Sequence, residues 1–257
     1  MDLAHTALAA LAGFAVSIVS ASVGGTALIM VPLLVAFGLE PRVAIASNKF
    51  AIMFLSLAAT LRVRRSVPLP PARVTALLAV PVVVGSVAGS LLVVEAPAGL
   101  TRVIIGTAAI VVAVFLLVRS DAGLTDREGS LTGGETARTL IVLLPLSVYG
   151  GFFSGGYATL LTYALVLMLG FSFLQGAAAT RLLSIFSAAA GSIIFARAGI
   201  IDYTLSAVLG LAYFGGATLG AHIAVRKGSR WLRAVFLVAA VLLALRILIT
   251  EAAHLAG

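Results

Sequence analysis

The stretch LAHTALAALAGFAVSIVSASVGGTALIMVPLLVAFG, from Leu3 to Gly38, decides the fold. It runs for 36 residues with no Asp, Glu, Lys or Arg. A continuous helix of that length would extend about 54 Å at roughly 1.5 Å per residue. The hydrocarbon core of a bilayer is only about 30 Å thick. Gly24-Gly25 lies near the middle, flanked by Ser22 and Thr26. The economical reading is two half-length helices meeting at the glycines, forming a hairpin that enters and leaves on the same side.

The rest of the chain is equally apolar. Further segments run approximately Val43–Leu61, Leu69–Val94, Leu100–Val118, Thr139–Gly170, Phe171–Ala196, Tyr203–Val225 and Trp231–Thr250. Of the 257 residues 61% are hydrophobic and only 10% charged, against about 25% charged in a soluble domain. Repeated uncharged runs of this length are transmembrane helices, with lipid as the main solvent. The net charge of +8 would point to nucleic acid in a soluble protein. Here it reads instead as Arg and Lys gathered in short loops, where they set orientation. The absence of cysteine excludes disulfides, thiolate metal sites and cysteine catalysis. Met1-Asp2-Leu3-Ala4-His5 carries no basic n-region, so no cleaved signal peptide is expected. The short termini leave no expected room for an appended soluble domain.

The longest polar interruption, Ser120–Arg138, mixes charges with Gly123, Gly129, Gly133 and Gly134, a composition that suits a flexible linker. It divides the chain into a first transmembrane repeat (1–118), a linker (119–138) and a second repeat (139–257). Gly24-Gly25 precedes Gly155-Gly156 by 131 residues, and the same offset pairs Gly85 with Gly216, Gly89 with Gly220, Arg102 with Arg233 and Ala109 with Ala240. With one residue of slippage, Gly38 pairs with Gly170, Ala46 with Ala178 and Lys49 with Arg181. The ordered series implies a duplicated unit.

One hairpin plus three spans in each repeat give the halves opposite orientation, and charge placement agrees. Cytoplasmic loops then hold Arg62, Arg64, Arg65 and Arg73; Arg119, Arg127 and Arg138; and Arg226, Lys227, Arg230 and Arg233. The opposite side holds Arg42, Arg102, Arg197 and Arg246, a split of eleven to four. Treating the hairpins as single spans lowers the best split to nine against six. The positive-inside rule therefore favours an all-α membrane protein of two inverted repeats, with both termini outside the cytoplasm.

Lys49 and Arg181 are the most informative residues. Each lies well inside an apolar segment at a matching place, where a cation costs about 2.5–3.5 kcal/mol to insert. No Asp or Glu lies inside any span to neutralise them. One reading has each cation capping a neighbouring helix's carbonyls; the other builds an anion site from both repeats. The half-helices that begin after Gly24-Gly25 and Gly155-Gly156 would turn unpaired N–H groups and positive dipole ends toward such an anion. Ser22, Thr26, Asn48, Ser154, Tyr157 and Thr180 add hydrogen-bonding groups. Gly85/Gly89 and Gly216/Gly220 have small-xxx-small spacing and read as helix packing. Pro32 and Pro81 bend helices, His222 is structural or interfacial, Arg246 snorkels, and Asp202, Glu40 and Glu95 cap or solvate helix ends. No P-loop, HExxH or metal cluster occurs, so no enzyme and no cofactor are expected.

Ser22-Val23-Gly24-Gly25-Thr26, followed by Val31-Pro32-Leu33-Leu34, resembles the glycine-rich opening motif of the sulfite exporter TauE/SafE family. Ala44–Ser56 is similar to its second-helix pattern, Gly151-Phe152-Phe153-Ser154-Gly155-Gly156 to the second-repeat motif, and Gly215–Gly220 to its penultimate helix. The resemblance implies an inner-membrane permease for small sulfur-containing or carboxylated anions, such as sulfite or organosulfonates. Thr26 and Tyr157 stand where family members often carry a third glycine. The expected function is alternating-access transport, in the outward direction, of a small anion in a lipid bilayer, with a homodimer compatible and no nucleic-acid partner. An anion channel and a non-transporting assembly or sensor subunit are the alternatives.

Overall fold

The computed structural model describes residues 3–97 and 133–227, without the side chains of residues 22–23 and 133–136. Those residues form eight helices and no strands: α1 (Leu3–Val23), α2 (Thr26–Ala36), α3 (Pro41–Val63), α4 (Ala72–Glu95), α5 (Gly133–Phe152), α6 (Tyr157–Leu169), α7 (Phe173–Arg197) and α8 (Tyr203–Lys227). Five of them are long and apolar enough to cross a membrane: Leu3–Ala21 within α1, together with α3, α4, α7 and α8. The expected segments Leu100–Val118 and Trp231–Thr250 and most of the linker lie outside the described residues, as do Arg102, Arg233 and Arg246. The end of that linker is helical, because α5 begins at Gly133.

Local chemistry explains most helix ends. Gly38, Gly170 and Gly199 take φ of 93°, 68° and 69°, a left-handed geometry that glycine adopts without a Cβ clash. Pro41 opens α3 at its first turn, where its missing N–H costs nothing. Ser172 and Gln175 form a reciprocal capping box on α7. Asp202 accepts from Leu205 N at 2.9 Å at the start of α8, the capping role expected of it. Glu40 pairs instead with Arg42 at 2.7 Å.

Both long apolar segments break where the sequence indicated, but not into equal halves. α1 has 21 residues and α2 only 11; α5 has 20 and α6 only 13. The break falls at the left-handed residues: these sit past the midpoint of the first segment but at that of the second, where the inequality comes from α5 beginning ahead of the apolar stretch, at Gly133. Gly24 and Gly25 take φ of 88° and 87° in the first; Ser154 and Gly156 take 64° and 73° in the second. Gly155, although part of the glycine pair, is not among the positive-φ residues.

The small-xxx-small glycines pack helices, as their spacing indicated. Gly85 of α4 lies so close to α5 that an added Cβ would meet Leu144 O and Ser147 Cβ at 2.7 Å, and Gly89 would collide with Val148 O. Gly216 and Gly220 of α8 approach the backbone of Phe14 and Ile18 on α1 in the same way. Thus α4, before the linker, packs on α5 after it, while α8 packs on α1. Leu211 and Ile141, 74% and 71% exposed, carry large apolar side chains outward, which suits lipid and not water.

Candidate functional site

The two helix breaks meet at the centre. A Cβ on Gly24 would lie 3.0 Å from Ala158 Cβ and 3.1 Å from Thr159 N, at the start of α6 just past the second break. Between the breaks lies a cavity of about 30 Å³ lined by Gly24, Gly25 and Thr26 from the first break and Ser154, Tyr157 and Ala158 from the second. Lys49 and Ile52 of α3, and Arg181, Ser184, Ser187 and Ala188 of α7, complete it. That volume accommodates about two water-sized groups.

Lys49 and Arg181 are 2% and 4% exposed, and each reaches across the linker-defined boundary to the other half. Lys49 Nζ donates to Gly150 O at 2.6 Å, to Ser154 Oγ at 3.1 Å and, more distantly, to Gly151 O at 3.5 Å. Gly150 and Gly151 lie in the last turn of α5, whose carbonyls have no partner further along the helix. Arg181 Nε donates to Ala21 O at 2.9 Å, and Nη2 donates to Ser20 O, in the last turns of α1. The capping reading of these cations is therefore a structural fact. Neither is paired with a carboxylate among the described residues.

Capping uses the hydrogen-bond donors without removing the charge. Each helix terminus carries about half an elementary charge, negative at the C-terminus and positive at the N-terminus. Two negative ends, of α1 and α5, adjoin the cations, and two positive ends, of α2 and α6, open on the cavity. These four contributions roughly cancel and leave two formal positive charges around one small space. Gly25 and Gly156, which cap α2 and α6, offer no side chain to the first-turn N–H groups. Arg181 Nη1 makes no hydrogen bond to a described residue.

The cavity brings together Gly24, Gly25, Thr26, Lys49, Ser154, Tyr157 and Arg181 of the expected site residues. Others are engaged elsewhere. Asn48 Oδ1 accepts from Tyr213 OH at 2.6 Å, and the Thr180 hydroxyl pairs with that of Thr162 at 3.0 Å. Gly155 O accepts from Tyr149 OH, and Gly156 serves as the cap of α6. The Ser22 side chain lies outside the described residues. Tyr157 lays its ring over Gly150, where a Cβ would meet Cδ2 at 2.5 Å, and its hydroxyl lies 3.1 Å from Ser147 Oγ.

Ser184, Ser187 and Ile52 were not singled out from the sequence. Their signal was present: Ser184 and Ile52 each follow a cation by three residues, on nearly the same helix face. Ser187 exchanges hydrogen bonds with Ser86, which donates to Ser187 O at 2.7 Å. Ser184 Oγ is buried and makes no hydrogen bond among the described residues. His222, expected to be structural or interfacial, bonds Arg62 Nη2 through Nδ1 and ties the end of α3 to α8.

Against known proteins, the sequence profile of the family "Sulfite exporter TauE/SafE" matches residues 9–247. The chain belongs to that family. Its similarity to several curated proteins extends over most of their length. It is 27% identical over 255 residues to the probable membrane transporter protein ORF9 of Sinorhizobium sp, covering 96% of this chain and 94% of that protein. It is 28% identical over 243 residues to the probable membrane transporter protein YfcA of Escherichia coli K12, covering 94% and 87%. A probable membrane transporter protein of Haemophilus influenzae is 29% identical over 237 residues, covering 91% of each. No solved structure matches the chain.

Proposed function

We propose that this TauE/SafE family member transports a small oxyanion such as sulfite, bound between the two hairpin tips. One observation carries the reading: Lys49 and Arg181, without carboxylate partners among the described residues, line the same small cavity as the N-termini of α2 and α6. A pre-formed set of donors that needs no rearrangement favours an anion over a neutral solute. The cavity's 30 Å³ favours an ion of a few heavy atoms over a larger organosulfonate, which would need the tips to part. The relatives' descriptions as probable membrane transporters support transport. Tyr157 narrows the space where a third glycine would leave it open.

In this reading the two halves are inverted repeats, and the α1–α2 and α5–α6 pairs are the hairpins around which access alternates. The reciprocal contacts support it: each half's cation caps the other's first helix, and α4 and α8 pack on α5 and α1. The membrane is a cell inner membrane, with both termini on the non-cytoplasmic side. A monoanion leaving a negative cytoplasm gains about 2.3 kcal/mol per 100 mV, so export needs no coupling ion.

Capping favours one rival, in which Lys49 and Arg181 are structural and the cavity binds nothing. Thermal stability in detergent, measured with sulfite, sulfoacetate, taurine, acetate and phosphate, separates the two. The expected result is a selective shift of a few degrees with sulfite that Ser184→Ala weakens and Arg181→Lys largely abolishes. Equal response of the wild type and both variants to every anion, or no response at all, would establish the structural rival.

A further inference from the structure

Four buried hydroxyls, Ser56, Thr60, Ser184 and Ser192, make no hydrogen bond among the described residues. They are 0%, 6%, 4% and 6% exposed. A helical Ser or Thr readily satisfies itself on the carbonyl four residues back. Thr162 and Thr218 of this chain do so, at 2.7 and 2.8 Å. The four that do not lie on only two helices, α3 and α7, and these two pack against each other through the centre of the molecule.

Their spacing follows the cations. Ser56 and Thr60 come seven and eleven residues after Lys49, which at about 100° per residue places both within roughly 20° of its direction. Ser192 follows Arg181 by the same eleven residues, and Ser184 by three. At about 1.5 Å per residue, eleven residues carry a hydroxyl about 16 Å along the helix from its cation, roughly half the thickness of a bilayer core.

The two stripes run in opposite directions. Asp202 N, just beyond the end of α7, donates to Ser47 Oγ near the start of α3 at 3.0 Å. A Cβ on Gly191, late in α7, would touch Lys49 Cε at 2.6 Å. The C-terminal part of α7 therefore lies beside the N-terminal part of α3, and the helices are antiparallel. The α3 hydroxyls lead toward the Arg62 end, and Ser192 leads toward the Arg197 end.

We propose that the solute path runs along the α3–α7 contact, with Ser56 and Thr60 lining it on the Arg62 side of the cavity and Ser192 on the Arg197 side. The inference rests on the transport reading of the cavity and adds its route. A hydroxyl both donates and accepts, so it replaces water around an oxyanion on either side of the central charge. These positions carry no charge of their own to hold the ion there.

The chain contains no cysteine, so single substitutions report without background. Ser56→Cys, Thr60→Cys and Ser192→Cys, with Leu55→Cys as a dry control (0% exposed on α3), are reconstituted in vesicles. The probe is a membrane-impermeant, sulfonate-bearing methanethiosulfonate added from one face at a time. The expected result is modification of Thr60→Cys and Ser56→Cys from the Arg62 face and of Ser192→Cys from the Arg197 face, each at least tenfold faster than Leu55→Cys. Rates no greater than that of Leu55→Cys, in variants that remain monodisperse, would overturn the route. Because sulfite itself destroys a methanethiosulfonate, the cavity is tested separately by thermal stability: no shift with sulfite would sink the anion reading while the path stands. A sulfite-dependent thermal shift alongside unreactive cysteines would leave the site and remove the path.

Discussion

Lys49 holds α5 and α3 together through hydrogens that no neutral side chain of similar length can all supply. Lys49→Gln removes the charge and at least the 2.6 Å bond to Gly150 O. A buried hydrogen bond to a charged group contributes about 1.5–3 kcal/mol, so the variant is expected to melt several degrees lower in detergent, and Lys49→Arg to lose less. An unchanged melting temperature in Lys49→Gln would show that the cap contributes no stability. Gly24 and Gly38 provide a second test. Both have positive φ, 88° and 93°, so alanine at either costs about 1–2 kcal/mol in backbone strain. At Gly24 the new methyl also meets Ala158 and Thr159 at 3.0–3.1 Å, whereas at Gly38 nothing lies within 4 Å. Gly24→Ala is expected to lower thermal stability more than Gly38→Ala. Equal losses would mean that the two helix breaks have slack between them.

Between elements, the tightest helix contacts between the halves bring backbone against backbone, made possible by glycine. In lipid no hydrophobic force drives such helices together, so close packing must do so. Gly89→Ala places a methyl on the Val148 carbonyl, and Gly220→Ala places one on that of Ile18. Overpacking of this kind costs about 1–3 kcal/mol, and each variant is expected to show reduced thermal stability. Gly215→Ala is the matched control, since its methyl would meet only the Phe14 ring edge at 3.3 Å, which can turn aside. If all three variants melt alike, the α4–α5 and α8–α1 contacts are looser than their geometry implies. Helix ends were legible in the sequence for a related reason. Gly38, Gly170, Pro41 and Asp202 act on their own turn of chain, and a local cause leaves a local signature.

At the scale of the molecule, the proposed orientation rests on loop charge. Arg65 and Arg197 are both exposed, at the ends of α3 and α7. In the cysteine-free background, Arg65→Cys is expected to react with an impermeant thiol reagent only from the cytoplasm and Arg197→Cys only from outside; reaction from one shared side would contradict opposed helices. The sequence by itself determined the apolar segments, their order, the two glycine breaks and the buried cations, because length, charge and backbone freedom are properties of the chain alone. It could not say how long the helices on either side of each break would be, and the long first helices of 21 and 20 residues against short partners of 11 and 13 emerged only in three dimensions. Nor could it say which way each helix turned. In a helix that is apolar on every face, hydrophobicity does not separate the side facing lipid from the side facing protein. Only the tertiary structure turned Asn48 to Tyr213 and Thr180 to Thr162, brought Ser184 to the cavity, and gave each cation the carbonyls of the opposite half.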